Sequence, residues 1–140
     1  MTARDISADP QALRELLTAT RTIAIVGISP KPERASNEVA RALQAAGYTI
    51  IPVNPGHREI LGEQCYPSVA DIPFAVDIVD IFRRSEEAPA VIDEAIAAGA
   101  RCVWLQLGVS ATEACERAIA AGLQVVVDRC TKIEHARLIA

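Results

Sequence analysis

Three times along this chain an apolar-periodic stretch ends alike, at Leu43-Gln44-Ala45-Ala46-Gly47, Ile96-Ala97-Ala98-Gly99 and Ile119-Ala120-Ala121-Gly122, and each time a strand-like run follows. Each glycine stands where a helix closes on a left-handed residue, a backbone state that costs glycine little. The runs behind them cover residues 48–53, 101–107 and 124–127. Strands joined by helices through short loops lie side by side only as a parallel sheet, because each helix carries the chain back to its starting edge. Irregular intervals and unlike loops make this a recurring αβ unit rather than a solenoid. The implied fold is α/β, a Rossmann-like three-layer sandwich with a mostly parallel sheet. With 140 residues, 51% of them hydrophobic, the chain suits a single domain over residues 1–140 with one full-sized core.

The remaining elements follow from local signals. Asp9-Pro10 predicts an N-cap and a proline at the first helical position, ahead of an apolar stripe of Leu13, Leu16 and Leu17; this helix is expected on the sheet edge. Residues 22–26 and 76–82 read as buried strands, the second interrupted by acids. Gln64-Cys65-Tyr66 predicts a short edge strand, and Val69 and Ile72 a brief helical turn. Residues 86–98 predict a helix with Ser85 as N-cap and Pro89 in its first turn. Ser110-Ala111-Thr112-Glu113 has the spacing of a capping box. The tail turns helical from about Thr131.

Ligands of such sheets bind beyond the carboxyl ends of the strands. There the sequence collects Ser29-Pro30-Lys31, Asn54-Pro55-Gly56-His57, Phe82-Arg83-Arg84, Gln106-Leu107-Gly108 and Asp128-Arg129-Cys130. The first loop, Gly27-Ile28-Ser29-Pro30-Lys31-Pro32-Glu33-Arg34-Ala35-Ser36, passes from a buried strand to a helix start, where free backbone N–H groups and the helix dipole favour an anion. Lys31 and Arg34 add positive charge. Of the dinucleotide fingerprint G-x-G-x-x-G only the first glycine is kept. The carboxylate that would hold a ribose hydroxyl, about twenty residues further on, is also missing. Its place is taken by Asn54-Pro55-Gly56-His57-Arg58, so the rim suits a nucleotide with an extra phosphate.

Several classes are disfavoured. A net charge of −4 and 4% aromatic content argue against nucleic acid as partner. The cysteines at 65, 102, 115 and 130 form no C-x-x-C pair and, with two histidines, no metal-ligand spacing. They read as reduced thiols. No apolar run approaches the roughly 18 residues of a membrane span, and Met1-Thr2-Ala3-Arg4-Asp5 does not begin a signal peptide. A cytoplasmic protein without a membrane partner is expected.

The first-loop pattern G-x-S-x-K-P-x-R at residues 27–34, the Pro52-Val53-Asn54-Pro55 turn, Phe82-Arg83, and the tail Asp128-Arg129-Cys130 to Glu134-His135 together carry a resemblance. The chain resembles the small CoA-binding proteins of the YccU-like type, which are similar to the CoA-binding N-terminal domain of the succinyl-CoA synthetase alpha subunit. The resemblance implies coenzyme A, or an acyl-CoA, lying across the strand ends with its diphosphate over the first loop. It assigns Gly27, Ile28, Ser29, Pro30, Lys31, Arg34 and Ser36 to that loop. Asn54 and Pro55 fall in the second turn, where His57 stands in place of a synthetase lysine. Phe82 and Arg83 match the third strand end, and Gln106, between Leu105 and Leu107, matches the segment bordering the pantetheine arm. The synthetase's phosphohistidine domain and nucleotide-binding subunit do not fit within 140 residues, so the resemblance carries binding rather than catalysis.

Competing readings stand beside these. Ser36 has two uses for one oxygen, helix N-cap and phosphate ligand. Phe82 suits the core better than an adenine platform, and Trp104, alternating with Cys102, suits packing under a helix. Cys130, beside Arg129 and near a helix start, has the setting of a reactive thiol. His135 orients a ligand or closes the tail helix onto the domain, and Asp128 is placed to accept a hydrogen bond at the rim. The leading reading is a non-enzymatic or accessory CoA binder. The alternatives are an NAD(P)-linked oxidoreductase, a thiol-dependent acyl-transfer protein using Cys130, and a module that docks on a larger CoA ligase. A protein partner or a homo-oligomer is compatible with each.

Overall fold

The computed structural model describes residues 3–139; Met1 and Thr2, which open the amino terminus read above, and Ala140 lie outside the described residues. In chain order the elements are α1 (Pro10–Ala19), β1 (Thr22–Val26), α2 (Ala35–Ala45), β2 (Thr49–Val53), β3 (Glu59–Ile60), β4 (Glu63–Gln64), β5 (Ile78–Ile81), α3 (Ala88–Ala97), β6 (Cys102–Leu105), α4 (Thr112–Ala120), β7 (Gln124–Val126) and α5 (Thr131–Leu138). Short 3-10 turns cover Val69–Asp71 and Ser85–Glu87. Five strands form one parallel sheet in the order β2-β1-β5-β6-β7, and β3 pairs with β4 as a small antiparallel hairpin. This is the Rossmann-like α/β sandwich expected from the sequence.

The strands are almost wholly buried, as a parallel sheet covered on both faces requires. Alternate residues divide between two cores. Ile23, Ile25, Ile78, Cys102 and Trp104 join α1, α2 and α5 on one face. Ala24, Val26, Val79, Ile81, Val103 and Leu105 join α3, α4 and the turn at Val69 on the other. Both sheet edges are covered. Ile6 donates to the Val125 carbonyl and Val125 to that of Arg4, while Tyr66 covers β2, donating to the Pro52 carbonyl and accepting from Asn54 N–H, and edge placement also tolerates Pro52.

Gly47, Gly99 and Gly122 close their helices with φ of 103°, 75° and 98°, as their positions predict. Asp9 caps α1, its carboxylate accepting from Ala12 N–H at 3.0 Å, worth about 1 kcal/mol. Four expectations need correction. Helix α1 lies on a sheet face rather than the edge, because Leu13, Leu16 and Leu17 bury against Ile23, Ile25 and Trp104. Ser36 is not an N-cap; Arg34 holds that position, and Ser36 sits inside the first turn. Ser85 opens a 3-10 turn instead of capping α3, and its hydroxyl accepts from Ser110 N–H at 3.0 Å. That bond engages the Ser110 backbone, so the capping box is not formed and Ala111 precedes α4.

Candidate functional site

Strand β1 sits between β2 and β5, so the chain leaves β1 in one direction through α2 and returns on the other side as β5. Helix α2 covers one face and α3 the opposite one, and this divergence opens a crevice beyond the ends of β1 and β5. Gly27 stands there with φ 88°. Its N–H donates to the Val53 carbonyl at 2.9 Å, and a Cβ at this position would overlap the Phe82 carbonyl oxygen. Only glycine lets the two backbones approach this closely. The resulting cleft has a volume of ≈ 560 Å³. Ser29, Lys31, Arg34, Ala35 and Ser36 line one end, and Phe82, Gln106, Leu107 and Val109 the other.

The loop from Gly27 to Arg34 is braced by its own neighbours. Ser29 N–H donates to Ser36 Oγ at 2.9 Å, and Lys31 N–H to Ser29 Oγ at 3.1 Å. Asn37 Nδ2 donates to the Ser29 carbonyl, and Asn54 Nδ2 to that of Ile28. Arg41 holds Asn37 Oδ1 through Nε and the Pro32 carbonyl through its terminal nitrogen, both at 2.9 Å. The α2 start has no side-chain cap, so its first-turn N–H groups, at Ala35 and Ser36 on the cleft wall, are left for a ligand. Lys31 and Arg34 stand exposed beside them.

Under the other end lies a buried polar ring. Asp80 is fully buried on the face shared by Ile25 and Trp104, its register partners on either side. Gln106 Nε2 donates to Asp80 Oδ1 at 2.6 Å and to Thr131 Oγ1 at 3.0 Å, and the Thr131 hydroxyl donates to Asp80 Oδ2 at 2.9 Å. Burial pushes the Asp80 carboxyl up to about 7, against the opposing pull of the Gln106 and Thr131 hydrogen bonds. The rim is tied by Asp128, whose Oδ1 accepts from Gly108 N–H at 2.8 Å, and by the exposed Glu38–Lys132 pair joining α2 to α5.

Comparison with known proteins gives this geometry a family. A family model described as CoA binding domain matches residues 21–136. The chain belongs to the CoA binding domain family.

A hypothetical protein from Pyrococcus horikoshii OT3, a solved structure, superposes with a TM-score of 0.93 at 42% identity, covering 100% of this chain and 99% of that one. The uncharacterized protein YneT of Bacillus subtilis strain 168 is 41% identical over 124 residues, 89% of this chain and 92% of YneT. An ADP-forming acetate–CoA ligase I of Archaeoglobus fulgidus is 36% identical over 80 residues, 57% of this chain but only 12% of the ligase. The expected membership among small CoA-binding proteins related to the CoA-binding domain of the succinyl-CoA synthetase alpha subunit therefore holds, with an ADP-forming acetate–CoA ligase as the larger relative matched.

Of the residues singled out in the sequence, Gly27, Ser29, Lys31, Arg34, Ser36, Phe82 and Gln106 meet in the family member's main cleft. Ile28 is completely buried and Pro30 exposed, and both fall outside the cleft lining. Asn54 spends its amide on the Ile28 carbonyl and Gly56 N–H, supporting the loop from behind. Pro55 and His57 line a second cleft with Arg58, Gln64, Cys65 and Pro67. Arg83 packs over Gly27.

Trp104 is wholly buried and donates from Nε1 to the Arg129 carbonyl at 2.9 Å. Cys130 is buried at the start of α5 and lies outside the cleft lining. His135 meets the Tyr48 ring edge-on at 5.6 Å, closing the tail helix onto the domain.

Sequence reasoning passed over Asn37, Arg41, Asp80 and Thr131. The first two had a signal, a polar pair at i, i+4 beside the loop. The signal for Asp80 was an acid inside a strand that burial on both faces should have kept apolar.

Proposed function

We propose that this domain binds coenzyme A across the carboxyl end of the sheet, with the diphosphate on the α2 start and the pantetheine arm toward Leu107 and Val109. The observation that carries this reading is the uncapped first turn of α2 facing a cleft that also holds Lys31 and Arg34. The residues fit the group: backbone donors and two cations suit phosphates, and the missing Cβ at Gly27 lets the Phe82 backbone close against the loop that presents them.

Nicotinamide dinucleotides fit less well. At the end of β2 the ribose acceptor of a dinucleotide site is absent, and the amide that replaces it is consumed by internal hydrogen bonds. An acyl-CoA shares every group that the cleft addresses and is expected to bind as well. We read the domain as a binding component rather than a catalyst. The match to a short part of an acetate–CoA ligase favours a coenzyme-holding role and carries no claim on the ligase reaction. Four cysteines, all free and buried, favour a reducing compartment, the cytoplasm.

Calorimetry with CoA, dephospho-CoA, NAD and NADP in parallel tests the reading. CoA is expected to bind tightest and NAD weakest, with dephospho-CoA reduced by the loss of its 3′-phosphate. Equal binding of NAD and CoA overturns it.

A further inference from the structure

The ring of Asp80, Gln106 and Thr131 has no counterpart in a phosphate site, since a buried acid beneath an anion-binding cleft is unfavourable unless it serves something else. Asp80 and Thr131 are 0% exposed and Gln106 is 5% exposed, so all three lost water on folding. Such groups persist only where they are mutually satisfied, and here they are. The arrangement goes further than satisfaction. An ionised carboxylate only accepts hydrogen bonds, and the Thr131 proton already goes to Asp80, so Gln106 must turn its NH₂ downward to both.

The backbone of Gln106 is also engaged: its N–H donates to the Ile81 carbonyl, and its carbonyl accepts from Val109. What remains for the cleft, whose wall Gln106 forms together with Phe82, Leu107 and Val109, is the side-chain carbonyl Oε1. The phosphates are drawn to the opposite end by Lys31, Arg34 and the helix start. The ligand segment that reaches Gln106 is therefore the uncharged arm.

We propose that Gln106 is a specificity-determining residue that accepts a hydrogen bond from an N–H or S–H donor of the pantetheine arm, with Asp80 and Thr131 as positioning residues that fix its amide. This rests on the CoA reading and deepens it. An arm lacking donors, or a second acceptor placed there, meets a fixed acceptor lone pair with nothing to offer it.

The test compares two ligands: CoA, and adenosine 3′,5′-bisphosphate, which keeps phosphates but has no arm. Binding is measured at pH 8, where Asp80 is ionised. In Gln106→Leu, CoA affinity is expected to fall about five- to tenfold, the range for one hydrogen bond, while bisphosphate affinity stays within about twofold. Asp80→Asn provides a second route should the first variant fail to fold. An asparagine donates as well as accepts, so it can turn the Gln106 amide over and present NH₂ to the arm. CoA affinity is again expected to fall while bisphosphate binding holds. Normal CoA binding in a folded variant, or equal loss of both ligands, overturns the inference. Wild-type protein that binds neither ligand overturns the CoA reading and this inference with it. Wild-type protein that binds both, with Gln106→Leu doing the same, overturns this inference alone.

Discussion

Two clefts open at the carboxyl end of the sheet, and at ≈ 560 and ≈ 550 Å³ their sizes do not distinguish them. Their foundations do. The cleft at the switch point rests on backbone crossing backbone at Gly27 and Phe82, on a loop held by Asn37, Arg41 and Asn54, and on a closed polar ring. The cleft at Pro55 and His57 is a turn and a two-residue hairpin, with its charged side chains exposed. Rigid, preorganised groups lose less entropy on binding than mobile ones, so equal volume does not mean equal affinity. The first cleft is the anchor in our reading, and the second touches only what extends from it.

The sharpest way to break this comparison is to add one methyl group to each cleft. Gly27→Ala places a Cβ on the Phe82 carbonyl and holds a non-glycine residue at φ 88°. Backbone on both sides leaves nothing soft to move, so a loss of more than about 4 kcal/mol is expected in urea unfolding. Gly56→Ala meets only the Asn54 Oδ1 atom, at 3.4 Å, and should cost under about 1 kcal/mol. Similar costs for the two variants would mean that the switch point is no more rigid than the turn.

The ring beneath the first cleft supplies a second distinction, visible in pH. The carboxyl of Asp80 is pushed from an ordinary value of 3.8 up to about 7 by burial. Between those values the folded protein holds a proton that the unfolded chain has released, so this residue makes stability fall as pH rises from about 4 to about 7 and then level off. The full effect is up to about 4 kcal/mol. Asp80→Asn should remove it. Denaturation midpoints of both proteins at pH 5 and pH 8 measure it: the wild type is expected to lose stability relative to the variant at the higher pH. A gap that does not change with pH would mean that Asp80 is ionised at little cost in the fold.

How these features appeared in the sequence follows their physics. The Ala-Ala-Gly endings are local signals with one structural solution, and the parallel sheet followed from them. Asp9 capped α1 as expected because the two demands on its carboxylate fall on different oxygens, Ala12 N–H on Oδ1 and the Arg4 guanidinium on Oδ2. Ser36, Ser85 and Ser110 failed as caps because each had a partner distant in sequence or a position already taken. Ser29 and Ser36 found one another across seven residues, and Ser85 and Ser110 across twenty-five. Asp80 was visible only as an odd acid in a strand, since its meaning depends on Gln106 arriving from the end of β6 and Thr131 from the start of α5. His57 was assigned by its place after a strand, which says which end of the sheet it occupies but not which cleft.

That last point gives the finest test. Lys31→Ala and Arg34→Ala each remove a cation from the braced loop, where it reinforces the N–H groups of α2. Charge-assisted hydrogen bonds at such a site are worth about 1 to 2 kcal/mol, so CoA affinity should fall roughly five- to thirtyfold in each variant. His57→Ala removes an exposed side chain from the second cleft, where water competes for every contact, and about a twofold change is expected. Raising the salt concentration should narrow the difference between Lys31→Ala and wild type, because the exposed charge is screened while the backbone donors are not. If His57→Ala loses as much affinity as Arg34→Ala in calorimetry, the phosphates are shared between the clefts. The anchoring role given to the first would then be wrong, even with CoA as the ligand.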